Sequence, residues 1–386
     1  MSGGPRRLIV VGAGFSGAVL ARELADRGHR VEVYDRRAHV AGNCHTEVDP
    51  RSGVNVHIYG PHIFHTDDEA PWAYLSRFAK IGSYVNRVRA VSGGRVYSLP
   101  VNLHTINQFF GKSFTPVEAR AFVASRADAS IGEPANFEEQ ALKMVGRELY
   151  EAFFKGYTVK QWGLPPSELP ASILKRLPLR FTYDDTYYPH RRQGVPEDGY
   201  TAAVQRILAH PNISLTLNHV FKPYTPGANE HVFWTGPLDE WFSHSQGPLG
   251  YRTLDFERID AEEDFQGNAV INYCDLATPY TRSSEHKYFA PWDKPRASVV
   301  FREYARPCGD GDIPYYPIRL ANDKALLGQY LALARGARGV SFLGRLGTYR
   351  YLDMDVTIRE ALDASKVTLA ALSRGAPPPP FFLDPG

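Results

Sequence analysis

Three glycines near the N-terminus have the types and spacing to hold phosphate. Gly12, Gly14 and Gly17 form G-x-G-x-x-G directly after the apolar run Leu8 to Val11, with Phe15 inside the motif. Gly12 permits a tight turn, and Gly14 lets backbone amides approach a pyrophosphate. Gly17 lets the following helix pack closely on its strand. That helix start also offers free N–H groups and partial positive charge. Asp35 lies 21 residues after Gly14, at the end of a second strand-like run, Val31 to Tyr34, and can accept from a ribose hydroxyl. The chemistry is dinucleotide binding.

The residues after Asp35 narrow the dinucleotide. Arg36-Arg37 and then Ala41-Gly42-Asn43 follow. Acid, basic pair and a second glycine turn is the usual order in FAD-binding chains related to amine oxidases. Ala41 stands where the usual turn has a glycine, and is expected to keep a negative φ. No second G-x-G-x-x-G occurs, so no separate NAD domain is visible. Other constellations fit less well. Cys44, His45, His57, His62 and His65 match no standard zinc spacing. Asp353-x-Asp355 resembles a glycosyltransferase metal pair, but stands at a helix start and leaves the N-terminal motif unexplained.

The elements that must carry these residues read as β-α-β at the N-terminus. Extended chain follows at 54–66, broken at Gly60-Pro61, and then a hairpin over 85–99 turning at Ser92-Gly93-Gly94. From about 102 to 177 the pattern is helical, with runs at 116–126 and 137–154 and a proline-punctuated loop before 173–177. Strand signals return at 213–217, 231–235, 250–257, 269–273 and 298–304, and a last helix covers about 355–372. The tail Ala376-Pro-Pro-Pro-Pro-Phe-Phe predicts an extended, mobile end.

Composition excludes several classes. The chain has 386 residues, 44 basic against 42 acidic, and a net charge of +2, which gives no electrostatic reason to expect nucleic acid or membrane as partner. Three widely spaced cysteines predict neither a disulfide framework nor a metal knuckle, and favour a reducing, cytoplasmic setting. No stretch approaches the roughly 20 apolar residues of a membrane span.

A specific set of motifs then appears. Gly60-Pro61-His62-Ile63-Phe64-His65-Thr66, Phe153-Phe154-Lys155-Gly156-Tyr157-Thr158 and Gln161-Trp162-Gly163 are followed by Leu177-Pro178-Leu179-Arg180. Pro279-Tyr280-Thr281-Arg282, Glu285-His286-Lys287 and Pro314-Tyr315-Tyr316-Pro317 come next, and the block 344–355 ends the series. In this order the chain closely resembles the bacterial UDP-galactopyranose mutases, from about residue 7 to 372.

The resemblance implies an α/β fold of three domains. Residues 1–85, 196–247 and 318–386 would form a discontinuous Rossmann-like FAD-binding domain, and 102–178 a helical substrate or lid domain. Residues 86–101, 179–195 and 248–317 would form a small antiparallel β-sheet domain. The implied activity is interconversion of UDP-galactopyranose and UDP-galactofuranose, with reduced FAD N5 attacking the anomeric carbon and no net redox. Alternatives are an oxidase or dehydrogenase of the amine-oxidase-like fold, or a mutase for another nucleotide sugar. NAD(P)H or another reductant would reduce the flavin, and a homodimer is implied.

The same resemblance assigns residues. Arg176 and Arg282 would clamp the diphosphate, and His62 would lie against the flavin. Asn86, Phe153, Tyr157, Thr158, Trp162, Tyr187, Asn272, Tyr316 and Tyr351 would touch substrate. FAD would be held by Gly12, Gly14, Phe15, Gly17, Asp35, Arg36, Gly42, Asn43, His62, Ile63, Val220, Arg345, Leu352, Asp353, Met354 and Thr357. The segment from Trp162 to Arg176, with three prolines, would act as a lid. Ser283 and Ser284 stand where the family more often has larger residues, and could alter nucleotide or sugar preference.

Overall fold

The computed structural model describes residues 7–176, 179–318 and 321–385. Five parallel strands form one sheet, in the order Ile213–Thr216, Val31–Tyr34, Arg7–Val11, Glu230–Trp234 and Val340–Phe342. The central strand reads RLIVV with its last four residues buried, as expected where helices or loops cover both faces of a parallel sheet. Helix Phe15–Asp26 packs on the last helix, Met354–Ser373, and on helix Gly199–Leu208. Chain segments from the beginning, middle and end therefore meet in one nucleotide-binding layer.

A second sheet has seven strands, ordered Tyr316–Pro317, Tyr251–Ala261, Ser298–Pro307, Arg282–Glu285, Val270–Tyr273, Val88–Ser92 and Arg95–Leu99. It is larger than the small antiparallel sheet expected, and it is mixed, because Val270–Tyr273 runs parallel to Val88–Ser92. The hairpin of its last two strands turns at Gly93 and Gly94, whose φ values of +55° and +72° need glycine.

Helices Leu103–Phe110, Pro116–Arg126, Phe137–Leu149 and Gly156–Trp162 build a separate core around Ile106, Val123, Phe137, Val145 and Leu149. Asn102, Thr115 and Asn136 cap the first three, Thr115 in a reciprocal capping box with Glu118. The single helix expected over 137–154 is interrupted. Gly146 takes φ +75°, since a Cβ there would lie 2.5 Å from the Arg126 carbonyl, and residues Tyr150–Lys155 wind wider before the next helix.

Helices Glu69–Ser76, Gly199–Leu208 and Ala321–Gly336 had not been expected. The proline-rich tail is extended, as expected, but docked rather than mobile. The Phe342 N–H donates to the Pro380 carbonyl at 2.8 Å, and the Phe381 ring lies 5.5 Å from that of Phe342. The tail thus covers the edge strand Val340–Phe342. Among the described residues no helix is long and apolar enough to cross a membrane.

Candidate functional site

The glycine turn is built as its spacing demands. Gly12 has φ +107°, and a Cβ there would strike Thr235 Oγ1 at 1.9 Å. A Cβ on Gly17 would strike the Gly12 carbonyl at 2.0 Å. Gly14 differs: its nearest neighbour is Gly42 Cα, 3.8 Å from an ideal Cβ. The two bare glycines therefore face one another across a narrow cradle. No side chain caps helix Phe15–Asp26, and no acid stands in its first turn, so its amides are left for an external anion.

Asp35 is buried. Its Oδ2 accepts the Ala13 N–H at 2.7 Å and its Oδ1 the Arg37 N–H at 2.9 Å. It braces the turn. The His219 N–H donates to the Asp35 carbonyl at 2.9 Å, which brings Val220, 63% exposed, alongside. Arg36 is exposed and ion-paired to Glu240. Asn43 Oδ1 accepts from Arg37 at 2.8 Å, while Arg37 Nη1 is buried without a hydrogen-bond partner. Ala41 corrects an expectation: its φ is +73°, not negative, and its side chain is 1% exposed in the core. Core packing around its methyl holds this strained conformation in place. The Phe15 and Ile63 side chains are also largely core, at 4% and 5% exposure.

The other half of the site is assembled by strand register. Asn272 lies directly opposite Arg282, and Arg282 directly opposite Glu303, so the three stand in a row on one face of the seven-stranded sheet. Arg282 Nε is 3.3 Å from Glu303 Oε1, and Nη2 donates to Tyr157 Oη at 2.9 Å. Burial weighs against the Arg282 charge, and Glu303 with Tyr157, Tyr316 and Tyr187 more than restores it. Glu303, 2% exposed, is held above the usual carboxyl range by burial, which Arg282 only partly opposes. The Tyr316 and Tyr351 rings stack at 5.7 Å, and Arg345 lies 4.8 Å from the Tyr351 ring. Arg345 also donates to the Leu352 carbonyl at 2.6 Å, which ties it to the start of the last helix. Asp353 is the N-cap residue there, with Met354 and Thr357 half-buried beside it. His62 Nδ1 is 2.8 Å from the Gly60 carbonyl, and burial, with Arg345 and Arg282 nearby, pushes its pKa down to about 4.

The helix that supplies Tyr157 is fastened to this sheet by two more cations. Lys160 Nζ lies 2.7–3.0 Å from the carbonyls of Tyr273, Asp275, Thr278 and Tyr280, and burial lowers its pKa to about 8. Buried Arg252 donates from Nε to the Gln161 carbonyl at 2.9 Å. Neither was legible, because each satisfies backbone carbonyls that are distant in sequence. Glu303 was missed for the same reason: only the strand register reveals its place opposite Arg282.

Asn86 is buried, its Oδ1 accepts from Tyr84 Oη at 3.0 Å, and its carbonyl accepts the Tyr187 N–H at 2.8 Å. The Phe153 ring sits in the helical core, edge-on to Tyr97 at 5.0 Å. Thr158 is 5% exposed, and Trp162 is half-buried against the same core. The side chain of Arg176 lies outside the described residues; its backbone ends the short helical turn Ala171–Arg176. Ser283 is buried and, one residue from Arg282 on a strand, points to the opposite face of the sheet.

Comparison with known proteins agrees with this layout. The chain matches the UDP-galactopyranose mutase family over residues 152–351 and the NAD(P)-binding Rossmann-like domain family over residues 10–78. It is 55% identical, over 98% of both chains, to a probable UDP-galactopyranose mutase of Klebsiella pneumoniae. It is also 48% identical, over 94% of this chain and 98% of the other, to the dTDP-fucopyranose mutase of Escherichia coli. The crystal structure of a reduced UDP-galactopyranose mutase shares the fold, with a TM-score of 0.75 over 95% of this chain and 96% of that one, at 15% identity. With its nucleotide-binding turn, its arginine–tyrosine cluster and these relatives, the chain belongs to the UDP-galactopyranose mutase family.

Proposed function

We propose that this protein interconverts the pyranose and furanose forms of a nucleoside-diphosphate sugar, UDP-galactose foremost, with FAD bound at the glycine cradle. The observation that carries the reading is the setting of Arg282. A planar, permanently charged fork stands on one sheet face, ringed by Tyr157, Tyr187 and Tyr316 and oriented by Glu303. Such a fork suits paired bonds to phosphate oxygens, and tyrosine hydroxyls can share the load.

FAD fits the residues present. The Gly14–Gly42 cradle, the uncapped helix start and the unpartnered Arg37 Nη1 match a pyrophosphate. Asp35 and Val220 would meet the adenosine half, and His62, Arg345 and the segment 352–357 the ring. When bound and reduced, FAD supplies the nucleophile for the anomeric carbon. The protein's own residues do the rest. Arg282 and Arg176 hold the diphosphate as it leaves and returns, and Tyr157 steadies the Arg282 fork. The segment between Trp162 and Arg176 closes as a lid once nucleotide is bound. NAD(P)H or another cytosolic donor keeps the cofactor reduced.

A second reading, a dTDP-linked 6-deoxysugar as substrate, is favoured by the 48% identity to the dTDP-fucopyranose mutase. Steady-state kinetics of the reduced holoenzyme on UDP-galactofuranose and dTDP-fucofuranose separate the two. The first reading expects the larger kcat/KM on UDP-galactofuranose; a larger value on the dTDP sugar reverses the choice, and no conversion of either rejects both.

A further inference from the structure

Two histidines outside the assigned site hold the His62 turn from behind. His57 Nδ1 accepts the backbone N–H of His62 at 3.1 Å, and His286 Nδ1 accepts the backbone N–H of His57 at 3.1 Å. Both rings are buried, at 2% and 0% exposure. Phe289 packs 5.0 Å from His57 and 5.7 Å from His286, and Phe301 packs 4.7 Å from His286. Tyr200 stands edge-on to His57 at 5.8 Å. Both rings are thus packed among aromatic neighbours.

These contacts fix protons as well as positions. A ring nitrogen that accepts an N–H bond carries no proton itself. His57 and His286 must therefore both be neutral, each with its proton on Nε2. Burial acts in the same direction, pushing His286 down to about 3 and His57 well below the usual histidine range. His62 is the reverse case. Its Nδ1 faces the Gly60 carbonyl at 2.8 Å, a pure acceptor, so Nδ1 carries the proton. Its ring is also neutral near pH 7, which leaves Nε2 as a bare lone pair.

His286 Nε2 is buried without a hydrogen-bond partner. The two bonds act in series: His286 fixes residue 57 at the end of strand Asn55–His57, and His57 fixes the His62 peptide. Between them Gly60, at φ +87°, closes the turn with its N–H on the His57 carbonyl at 3.2 Å.

We propose that His57 and His286 are positioning residues, which lock the turn 57–62 so that His62 offers an unprotonated Nε2 at the catalytic end flanked by Arg282 and Arg345. The group it would meet is a hydrogen-bond donor, either an N–H of the reduced cofactor or a sugar hydroxyl. That last step rests on the mutase reading; the relay itself does not.

Two measurements on the holoenzyme test it. In two-bond proton–nitrogen spectra of histidine-labelled protein at neutral pH, His57 and His286 should carry the proton on Nε2, and His62 on Nδ1. Signals are assigned with His57→Asn and His286→Asn. A proton on Nδ1 of His57 or His286, or a cationic ring, overturns the relay whether or not the protein is a mutase. The second measurement compares His57→Leu, which deletes the acceptor, with His57→Asn, whose Oδ1 can replace Nδ1. Misplacing His62 should lower kcat about tenfold or more, with KM within about threefold of wild type. The flavin spectrum and midpoint potential should shift in the Leu variant and return in the Asn variant. A folded, flavin-bound Leu variant with unchanged potential and kcat overturns the positioning role; if that variant does not fold, the proton positions in the unaltered protein still decide.

Discussion

Arg282 shows what a single side chain needs before it can act as a clamp. Its partners come from three directions: Glu303 across the strand pair, Tyr157 from a helix, and Tyr316 from the sheet edge. Arg282→Lys keeps the charge but loses the fork. Its kcat/KM should fall about ten- to hundredfold, with flavin content unchanged by absorbance. Loss of flavin with loss of activity would instead make Arg282 a cofactor or folding residue. The sequence made much of this scale legible, because chemistry is tied to residue type. The roles of Gly12 and Gly17 followed from spacing and match the contacts a Cβ would make. The positive φ of Ala41 did not follow, since alanine gives no local sign of it and the surrounding core enforces it. Glu285, read as part of a family motif, proved structural in place: buried, it accepts the N–H groups of Phe265, Gln266 and Gly267 and the Ser298 hydroxyl.

Helix Gly156–Trp162 is the element on which the site depends most. It delivers Tyr157 to Arg282, and Gly156 lets it approach so closely that a Cβ would lie 2.1 Å from the Cys274 carbonyl. Lys160 holds it by four carbonyls and Arg252 by its end. Lys160→Met should strip the donor from these buried acceptors and cost about 3 kcal/mol, seen as a lower Tm with flavin still bound. An unchanged Tm would show that the carbonyls find other donors. Gly156→Ala should lower both Tm and kcat, by pushing the helix off the sheet. Elements with strong local patterns were legible here, such as the N-terminal β-α-β and the last helix. Strand Arg192–Pro196 was not, because it contains Gly194 and ends in a proline, and tertiary pairing with Phe64–Thr66 and Ile81–Ser83 makes it a strand. Helix Ala321–Gly336 was missed, although Leu327, Tyr330, Leu331 and Ala334 repeat at helical spacing and are buried.

Across the whole molecule, long-range pairing joins what the sequence separates. Ile213–Thr216 lies beside Val31–Tyr34, and Glu230–Trp234 beside Arg7–Val11. Returning strand signals hinted at a divided nucleotide layer, but a local pattern carries no register, so the size and parallel pair of the second sheet stayed hidden. Burial of neutral histidines also has a global consequence. His57, His62, His231 and His286 all have folded pKa values below the ordinary one, with burial the main cause in each. The unfolded chain therefore binds more protons than the folded one once pH drops below about 6.5, and stability must fall as pH falls. Thermal melts should decline steadily from about pH 7 towards pH 4. A flat profile over that window would mean that these rings are not held neutral.

In the proposed reaction a sugar leaves and rejoins its diphosphate without net electron transfer. The most direct test is to follow reduced holoenzyme with UDP-galactofuranose under anaerobic conditions, counting pyranose product against flavin while the flavin absorbance is recorded. Many turnovers per flavin, with the reduced spectrum unchanged throughout, are expected. Product limited to one equivalent per reduced flavin, or equal turnover by oxidised protein, would rule this reaction out.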